Sequence, residues 1–274
     1  MLYIALFYVV YSSIRNLFGS AQVSPTTALQ NAYRLVELER WLFLYHEPSI
    51  QRAFLGSTWF YKLWNVYYGT LHFIVTGGVL IWLFVKADEL RYRRWRNTLA
   101  LMTALALVGF ALYPLMPPRL LPDCGEFGGC VTAPFIDTMA RYGGLWSFRS
   151  GPMEAISNQY AAMPSLHIGW SLWCVAPFIA RHRLWRWNGL LLLYPVVTAF
   201  AIVVTGNHFL LDAAGGLIVF EIGRRLAFRF TRPAARRAEE EHLEHPPDRA
   251  PDAVEQRDTV RCPDQGPSEA VGYG

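Results

Sequence analysis

Long apolar runs constrain the fold of this chain more than any other feature. Four of them, 64–85, 98–115, 161–180 and 189–206, contain no Asp, Glu, Lys or Arg. A helix needs roughly 20 apolar residues to cross a bilayer, and about 17 suffice. The composition agrees, with 53% hydrophobic and 15% aromatic residues, and many Trp and Tyr lie near the run ends, as at membrane interfaces. The sequence therefore predicts an integral membrane protein.

Basic residues in short segments orient the predicted spans. Lysine and arginine cluster at 86–96, 181–186 and 224–237, and loops rich in these residues stay in the cytoplasm. Two further apolar segments, 1–17 and 209–222, bring the prediction to about six transmembrane helices with both termini cytoplasmic. The predicted fold class is all-α, a polytopic membrane helix bundle. Because the basic residues follow this topology, the net charge of +4 predicts no nucleic acid partner.

Two segments do not fit the pattern of a span. Residues 26–56 interleave apolar side chains at helical spacing with Arg and Glu, which is typical of an amphipathic helix lying on the membrane surface. Residues 231–274 are charged and include six prolines, so we predict a disordered cytoplasmic tail after a transmembrane domain of residues 1–230. Cys124 and Cys130 share an external loop, where a disulfide is permitted.

Two polar clusters interrupt the apolar pattern, at 158–167 and 205–216. The two apolar stretches between them form a hairpin if both cross the bilayer, with the basic segment 181–186 at its cytoplasmic turn. The free ends of a hairpin lie on one side of the membrane. His167 and His208 are therefore expected together at the extracytoplasmic boundary.

The residue types at this boundary suit chemistry on a phosphate group. His208 and Asp212 are four residues apart, on one helical face, so the carboxylate can accept the Nδ1 proton and leave Nε2 as a nucleophile. Ser165 lies beside His167 at a helix start, and Arg119 can pair with two phosphate oxygens. The backbone N–H groups near Gly206 are suited to an anion.

Other interpretations of the same residues stay open. A single histidine at a membrane interface is more often structural, and the alternative function is a non-enzymatic transporter or ion-relay protein that uses His72 and Asp212. A serine hydrolase built on Ser165 lacks the usual Gly-x-Ser-x-Gly context. Arg15 is either a snorkelling anchor or a guanidinium that faces phosphate.

Two motifs resemble those of a known family. Ala-Ala-Met-Pro-Ser-Leu-His at 161–167 and Gly-Asn-His-Phe-Leu-Leu-Asp at 206–212 are similar to the second and third motifs of the type 2 phosphatidic acid phosphatase (PAP2) superfamily. Asn-Val-Tyr-Tyr-Gly-Thr-Leu-His at 65–72 and Pro-Pro-Arg at 117–119 further resemble its inositolphosphotransferase-like branch, which includes inositol phosphorylceramide synthase.

The resemblance implies a six-helix catalytic domain and metal-independent transfer through a phosphohistidine, without a cofactor. His208 would be the nucleophile, Asp212 its orienting partner and His167 the acid. The residues implied to bind phosphate or substrate are Arg119, Ser165, Gly206, Asn207, Arg15, His72 and Tyr68. The implied partners are a lipid phosphate or phosphodiester, an alcohol acceptor if the group is transferred, and the bilayer, most simply the plasma membrane.

The chain also departs from the superfamily motifs. The first motif has a Lys seven residues before its Arg, where this chain has Leu112, and the third begins Ser-Arg, where it has Ala201 and Ile202. Two phosphate-binding cations of the phosphatases are therefore missing, which favours the inositolphosphotransferase-like branch. Alternatively Arg15, Arg141 or Arg149 supplies the charge.

Overall fold

Helices form all the extended regular structure of the computed structural model, which describes residues 24–121, 135–144, 159–179 and 185–244. Within these ranges there are eight helices and no strand. An isolated parallel bridge joins Leu115 to Ala161. The helices are α1 (Pro25–Trp41), α2 (Glu47–Ala53), α3 (Thr58–Lys86), α4 (Glu89–Leu112), α5 (Thr138–Tyr142), α6 (Leu166–Val175), α7 (Trp185–Val204) and α8 (Leu210–Glu244).

Two helices are long and apolar enough to cross a membrane. They are α3, with 29 residues and a mean hydropathy of 1.7, and α4, with 24 residues and 1.4. Two shorter apolar helices, Leu166–Phe178 and Asn188–Val204, match the predicted fourth and fifth spans in position. The all-helical fold is thus confirmed, and two helices are long and apolar enough to span a membrane, whereas six spans are not shown. The predicted first span, 1–17, lies outside the described residues.

The basic segment after α3 is mostly helical, although we predicted a loop. The break between α3 and α4 is short, and Asp88 is the N-cap residue of α4. Its Oδ1 accepts the N–H of Arg91 at 2.8 Å. This N-cap starts α4 at Glu89, about two turns before the apolar run begins. The charged turns prolong the helix because an exposed helical face is compatible with Arg and Glu.

The last helix also extends further than expected. The tail was predicted to be disordered from residue 231, but α8 continues to Glu244. Its final turns are rich in Ala, Arg and Glu, which have high helix propensity. The chain divides into two units between Pro233 and Ala234, close to the predicted domain boundary. Residues 245–274, and with them most of the predicted tail, lie outside the described residues.

A π-helical turn interrupts α3 at Tyr67–Leu71. A π turn holds one residue more than an α turn, so it changes which side chains share a face. Asn65, before the turn, donates to the carbonyl oxygens of Thr138 and Gly143. Tyr68 and His72 instead stack near His167. The three polar side chains of this segment therefore have different partners, Asn65 in the α5 segment and the other two at His167.

Glycines let α8 approach the segment that precedes α6. A Cβ at Gly216 would overlap the carbonyl oxygen of Ser165, and one at Gly215 would lie 3.1 Å from Cβ of Pro164. The start of α6 therefore lies directly against α8. The two predicted motifs meet at this contact, as we expect if the two apolar stretches between them form a hairpin.

The predicted surface segment forms two helices, α1 and α2. The buried face of α1 packs in an apolar cluster with residues of other segments, among them Leu115, Phe135 and Phe209. Large apolar side chains at its end stay exposed, including Trp41 at 74% and Phe43 at 86%. This amphipathic character matches the prediction of a helix at the membrane interface, and its location there stays a prediction.

Candidate active site

A histidine and a carboxylate form a buried pair at the start of α8. Nδ1 of His208 lies 3.2 Å from Oδ2 of Asp212, which also accepts the N–H of Phe209 at 2.9 Å. His208 is 3% exposed and Asp212 is fully buried. Among the described residues, Nε2 of His208 has no hydrogen-bond partner. The pair therefore has the arrangement that leaves Nε2 available as a lone-pair nucleophile.

His167 lies beside this pair, between two aromatic rings. Tyr68 stacks on it with ring centroids 4.2 Å apart and planes 19° from parallel, and the His72 ring is also 4.2 Å away. The centroids of His167 and His208 are 5.5 Å apart. Within the described part of the chain Nε2 of His167 has no partner. Both imidazoles can therefore reach atoms of one phosphoryl group.

Arg119 is buried, and its contacts include hydrogen bonds to three other residues. Its Nε donates to Oδ1 of Asn207 at 2.9 Å, Nη1 lies 3.3 Å from Oδ2 of Asp137, and its backbone N–H donates to the carbonyl of Gly206 at 2.7 Å. Gly206 has φ +70°, and a Cβ there would lie 2.9 Å from Nε2 of Gln51. Glycine is required because the turn is both left-handed and crowded.

Asp137 reaches Arg119 because the segment around it is anchored at both ends. Gln51 both accepts from the N–H of Ile136 and donates to its carbonyl, at 2.9 and 3.0 Å. Thr138 donates to Oδ1 of Asn65 and to the carbonyl of Thr205, each at 3.0 Å. The sequence does not indicate a role for Asp137, since nothing local links this residue to the motifs.

Ser165 is the N-cap residue of α6, and its hydroxyl is unusual. The residue is fully buried, yet among the described residues Oγ has no hydrogen-bond partner and does not cap the helix. Its N–H donates to the carbonyl of Asp212 at 3.0 Å. A buried hydroxyl without a partner is costly. An oxygen atom of a bound ligand could accept a hydrogen bond from this hydroxyl. The N–H groups in the first turn of a helix are also suited to bind such an oxygen.

The backbone N–H groups near Gly206 are already used. Gly206 donates to the carbonyl of Val203 at 2.9 Å, and Asn207 and His208 donate to that of Ile202 at 3.0 and 3.2 Å. In this geometry they close the end of α7 and do not form an open anion site. The side chain of Asn207 orients Arg119 instead. A direct contact of Gly206 or Asn207 with phosphate stays a prediction.

A cavity of about 400 Å³ opens onto both histidines. Its walls are mainly apolar and aromatic, and they come from α3, α4, α6 and the start of α8. The lining residues are Tyr68, His72, Phe73, Thr103, Phe110, Ala161, Leu166, His167, Trp170 and His208. A cavity of this kind accommodates an apolar group next to the reacting atoms.

Of the remaining predicted cations, only Arg141 lies within the described residues. Arg15 and Arg149 lie outside the described residues, as do Cys124 and Cys130. Arg141 is exposed, and its guanidinium lies over the Tyr142 ring, 5.5 Å from the ring centroid. In the described ranges no three His, Cys, Asp or Glu side chains are grouped as metal ligands.

The fold and the site define a class of protein, a helical membrane protein with a buried His–Asp pair, a second histidine and an arginine around one cavity. Residues 33–225, which include all of these groups, match the family model of the PAP2 superfamily, and the chain belongs to that superfamily. Its members are phosphatases and phosphotransferases, so this chain is an enzyme of phosphoryl transfer. No curated protein and no solved structure matches the chain.

Proposed function

We propose that the protein transfers the phosphoryl or phospho-alcohol group of a membrane lipid through a phosphohistidine on His208. The observation on which this depends is the buried His208–Asp212 pair, with Nε2 unpartnered among the described residues and the second imidazole beside it. The Asp212 carboxylate accepts a hydrogen bond from Nδ1–H of His208. It also stabilises the imidazolium that forms when Nε2 becomes bonded to phosphorus.

In the first half-reaction the lone pair of His208 Nε2 attacks phosphorus, and the bond from phosphorus to the leaving oxygen breaks. His167 gives its proton to that oxygen, so the leaving group departs as a neutral alcohol. Arg119 and the Ser165 hydroxyl stabilise the negative charge on the phosphoryl oxygens. We propose that these groups suffice without a divalent metal.

In the second half-reaction an oxygen nucleophile attacks the phosphohistidine. His167, now neutral, accepts the proton of the attacking hydroxyl, and the bond from Nε2 to phosphorus breaks. Water as the nucleophile gives hydrolysis, and an alcohol gives transfer. The missing cations at Leu112 and Ile202 favour the inositolphosphotransferase-like branch, and thus an alcohol acceptor.

A lipid substrate suits the apolar walls of the cavity. Phe73, which lines it, is 57% exposed on α3, a helix long enough to span the bilayer. We propose a six-span topology with the site at the extracytoplasmic face of the plasma membrane and the tail in the cytoplasm. A relay protein would need polar groups along a path across the membrane, whereas here they gather around one cavity.

A serine hydrolase is a weaker alternative. Ser165 Oγ and His167 Nε2 each lack a hydrogen-bond partner in the described ranges, so the two residues do not form the pair that activates a serine. The histidine with a bound carboxylate is His208. The geometry therefore favours a histidine nucleophile.

Trapping of the intermediate tests the proposal. Purified protein is mixed with a lipid phosphate labelled with ³²P and quenched within milliseconds to seconds. We expect acid-labile, base-stable label on the wild type and none on His208→Ala. Asp212→Asn should fold but lose most activity, because an amide cannot stabilise the imidazolium.

The matched control is His46→Ala, since His46 is exposed and makes no side-chain cap for α2. It should label like the wild type. Label that persists in His208→Ala would overturn the assignment of the nucleophile. Activity lost in EDTA and restored by magnesium would overturn the metal-independent part of the proposal.

A further inference from the structure

Two carboxylates from distant segments hold the first turn of α8. Oε1 of Glu47 accepts the N–H of Leu210 at 2.9 Å, and Oε1 of Glu39 accepts the N–H of Leu211 at 2.8 Å. Both glutamates are fully buried. These contacts lie immediately before Asp212 and two residues after the proposed nucleophile.

Local side chains normally satisfy the free N–H groups at the start of a helix. Here only Phe209 is capped locally, by Oδ2 of Asp212 at 2.9 Å. The next two caps come from residues 163 and 172 positions away in the sequence. Three consecutive N–H groups thus donate to three different carboxyl groups, all buried at the positive end of the α8 dipole.

If Glu39, Glu47 and Asp212 were all ionised, their negative charges would repel one another strongly, because the buried surroundings have a low dielectric constant. Burial raises the pKa of Glu39 to about 9, and the neighbouring charges of Glu47 and Asp212 add to the shift. Glu39 is therefore protonated at neutral pH. In this state Glu39 would share its proton with Glu47, while Oε1 of Glu39 keeps the N–H of Leu211.

The surroundings of the glutamate pair are almost closed. Tyr45 and Arg40 lie near it, with the guanidinium 5.1 Å from the Tyr45 ring centroid. Among the described residues, Oε2 of each glutamate has no hydrogen-bond partner, and a proton shared between the two carboxyl groups would supply one. The pair is shut off from solvent and does not line the cavity.

We propose that Glu39 and Glu47 are positioning residues for phosphoryl transfer, which fix the first turn of α8 and so aim the His208 imidazole at phosphorus. They act through the backbone of Leu210 and Leu211 and touch neither substrate nor the reacting atoms. α1 and α2, which supply them, thereby become part of the catalytic architecture. The proposal builds on the proposed function of His208.

The dominant effect of losing a cap should be on the chemical step. A displacement of about 1 Å at a reacting group can lower a rate about 10²-fold. Glu47→Asp keeps the charge but withdraws the oxygen by one methylene. We expect kcat to fall about 10- to 100-fold, with KM unchanged within about twofold, because the cavity is intact. Glu39→Ala should behave in the same way.

Glu39→Gln is the conservative rescue. The amide oxygen still accepts the N–H of Leu211, and the amide N–H₂ replaces the acid proton as donor to Glu47. We expect kcat within about threefold of wild type. Glu37→Gln is the matched control, because Glu37 lies on the same helix and is exposed, and it should not change kcat.

A readout independent of turnover separates this proposal from the proposed function. In protein with ¹⁵N-labelled histidine, the Nδ1–H resonance of His208, assigned with His208→Ala, should shift in Glu47→Asp and Glu39→Ala and not in Glu37→Gln. Failure of the proposed function would instead appear as absence of phosphoenzyme in the wild type. An unchanged resonance and unchanged kcat in folded Glu47→Asp would overturn the proposal. If Glu39→Ala fails to fold, the kcat values of Glu47→Asp and Glu39→Gln test the proposal. A lower kcat in Glu47→Asp than in Glu39→Gln supports it, and equal values contradict it.

Discussion

At the scale of single residues, the site depends on aromatic contacts as much as on hydrogen bonds. His167 has Tyr68 stacked on it and the His72 ring at the same distance, 4.2 Å, while Asp212 fixes His208 through Nδ1. One imidazole is therefore oriented by a carboxylate and the other by ring contacts. The difference suits two roles, because Asp212 can stabilise the imidazolium that forms when Nε2 of His208 bonds to phosphorus.

His167→Ala should lose the proton donor while the nucleophile stays. A general acid contributes about 10²–10⁴-fold to rate, so turnover of an alkyl phosphate should fall by this order. A p-nitrophenyl phosphate needs no proton on its leaving oxygen and should be affected much less. The measurement is the dependence of kcat/KM on the pKa of the leaving group.

The His46→Ala variant again serves as the control for this comparison, since His46 is exposed and is not among the residues that line the cavity. The slope of the dependence should be steeper in His167→Ala than in either wild type or His46→Ala. Equal slopes in all three proteins would contradict the acid role of His167.

At the scale of secondary structure elements, the contact of α6 with α8 brings the two motifs together. Gly216→Ala adds one methyl group, which would overlap the carbonyl oxygen of Ser165. Overpacking of this kind costs about 1–3 kcal/mol and moves Ser165 away from Asp212. We expect a lower thermal unfolding midpoint in detergent and reduced phosphoenzyme formation.

The control for this substitution is Gly78→Ala in α3, where an added Cβ meets nothing within 4 Å. It should leave the unfolding midpoint and the activity unchanged. Loss of stability in both variants alike would show that the glycine at 216 has no special packing role.

The contact of α1 with α8 predicts a pH dependence of stability. The pKa of Glu39 rises from 4.5 to about 9 on folding, so the folded protein keeps a proton that the unfolded chain releases between these values. By linkage, the contribution of Glu39 to stability is fully present below pH 4.5 and decreases as pH rises through this window. Glu39→Gln removes the titrating group. The apparent unfolding midpoint of the variant should therefore decline less between pH 5 and 9, and parallel profiles would contradict the assignment.

The sequence indicated the apolar helices, the two motifs and the His208–Asp212 pair, because these depend on composition and on spacing along one helix. It did not indicate Asp137, Glu39 or Glu47, whose partners are far away along the chain. Nor did it indicate the π turn at Tyr67–Leu71, since a single-residue change of register leaves the apolar pattern almost intact. Local periodicity predicts elements, whereas tertiary hydrogen bonds complete the site.

At the scale of the whole molecule, the distribution of basic residues predicts the side of the membrane on which the site lies. In a protein without its four native cysteines, a cysteine replaces either Arg141, exposed on α5, or Lys86, exposed at the end of α3. A membrane-impermeant maleimide added to intact cells should label position 141. Position 86 should react only after the cells are permeabilised, and the reverse pattern would contradict the topology.

The carboxyl groups that cap α8 also have a consequence for biosynthesis. A ribosome completes Glu39 and Glu47 more than 160 residues before it makes the N–H groups that they accept. Until then the two side chains have no backbone partners and remain hydrated and charged, which keeps their helices out of the lipid. Glu39 and Glu47 can therefore be buried only after the start of α8 has been synthesised. The nascent chain can therefore assemble its reaction centre only after the bundle is nearly complete, so a truncated translation product would have no activity.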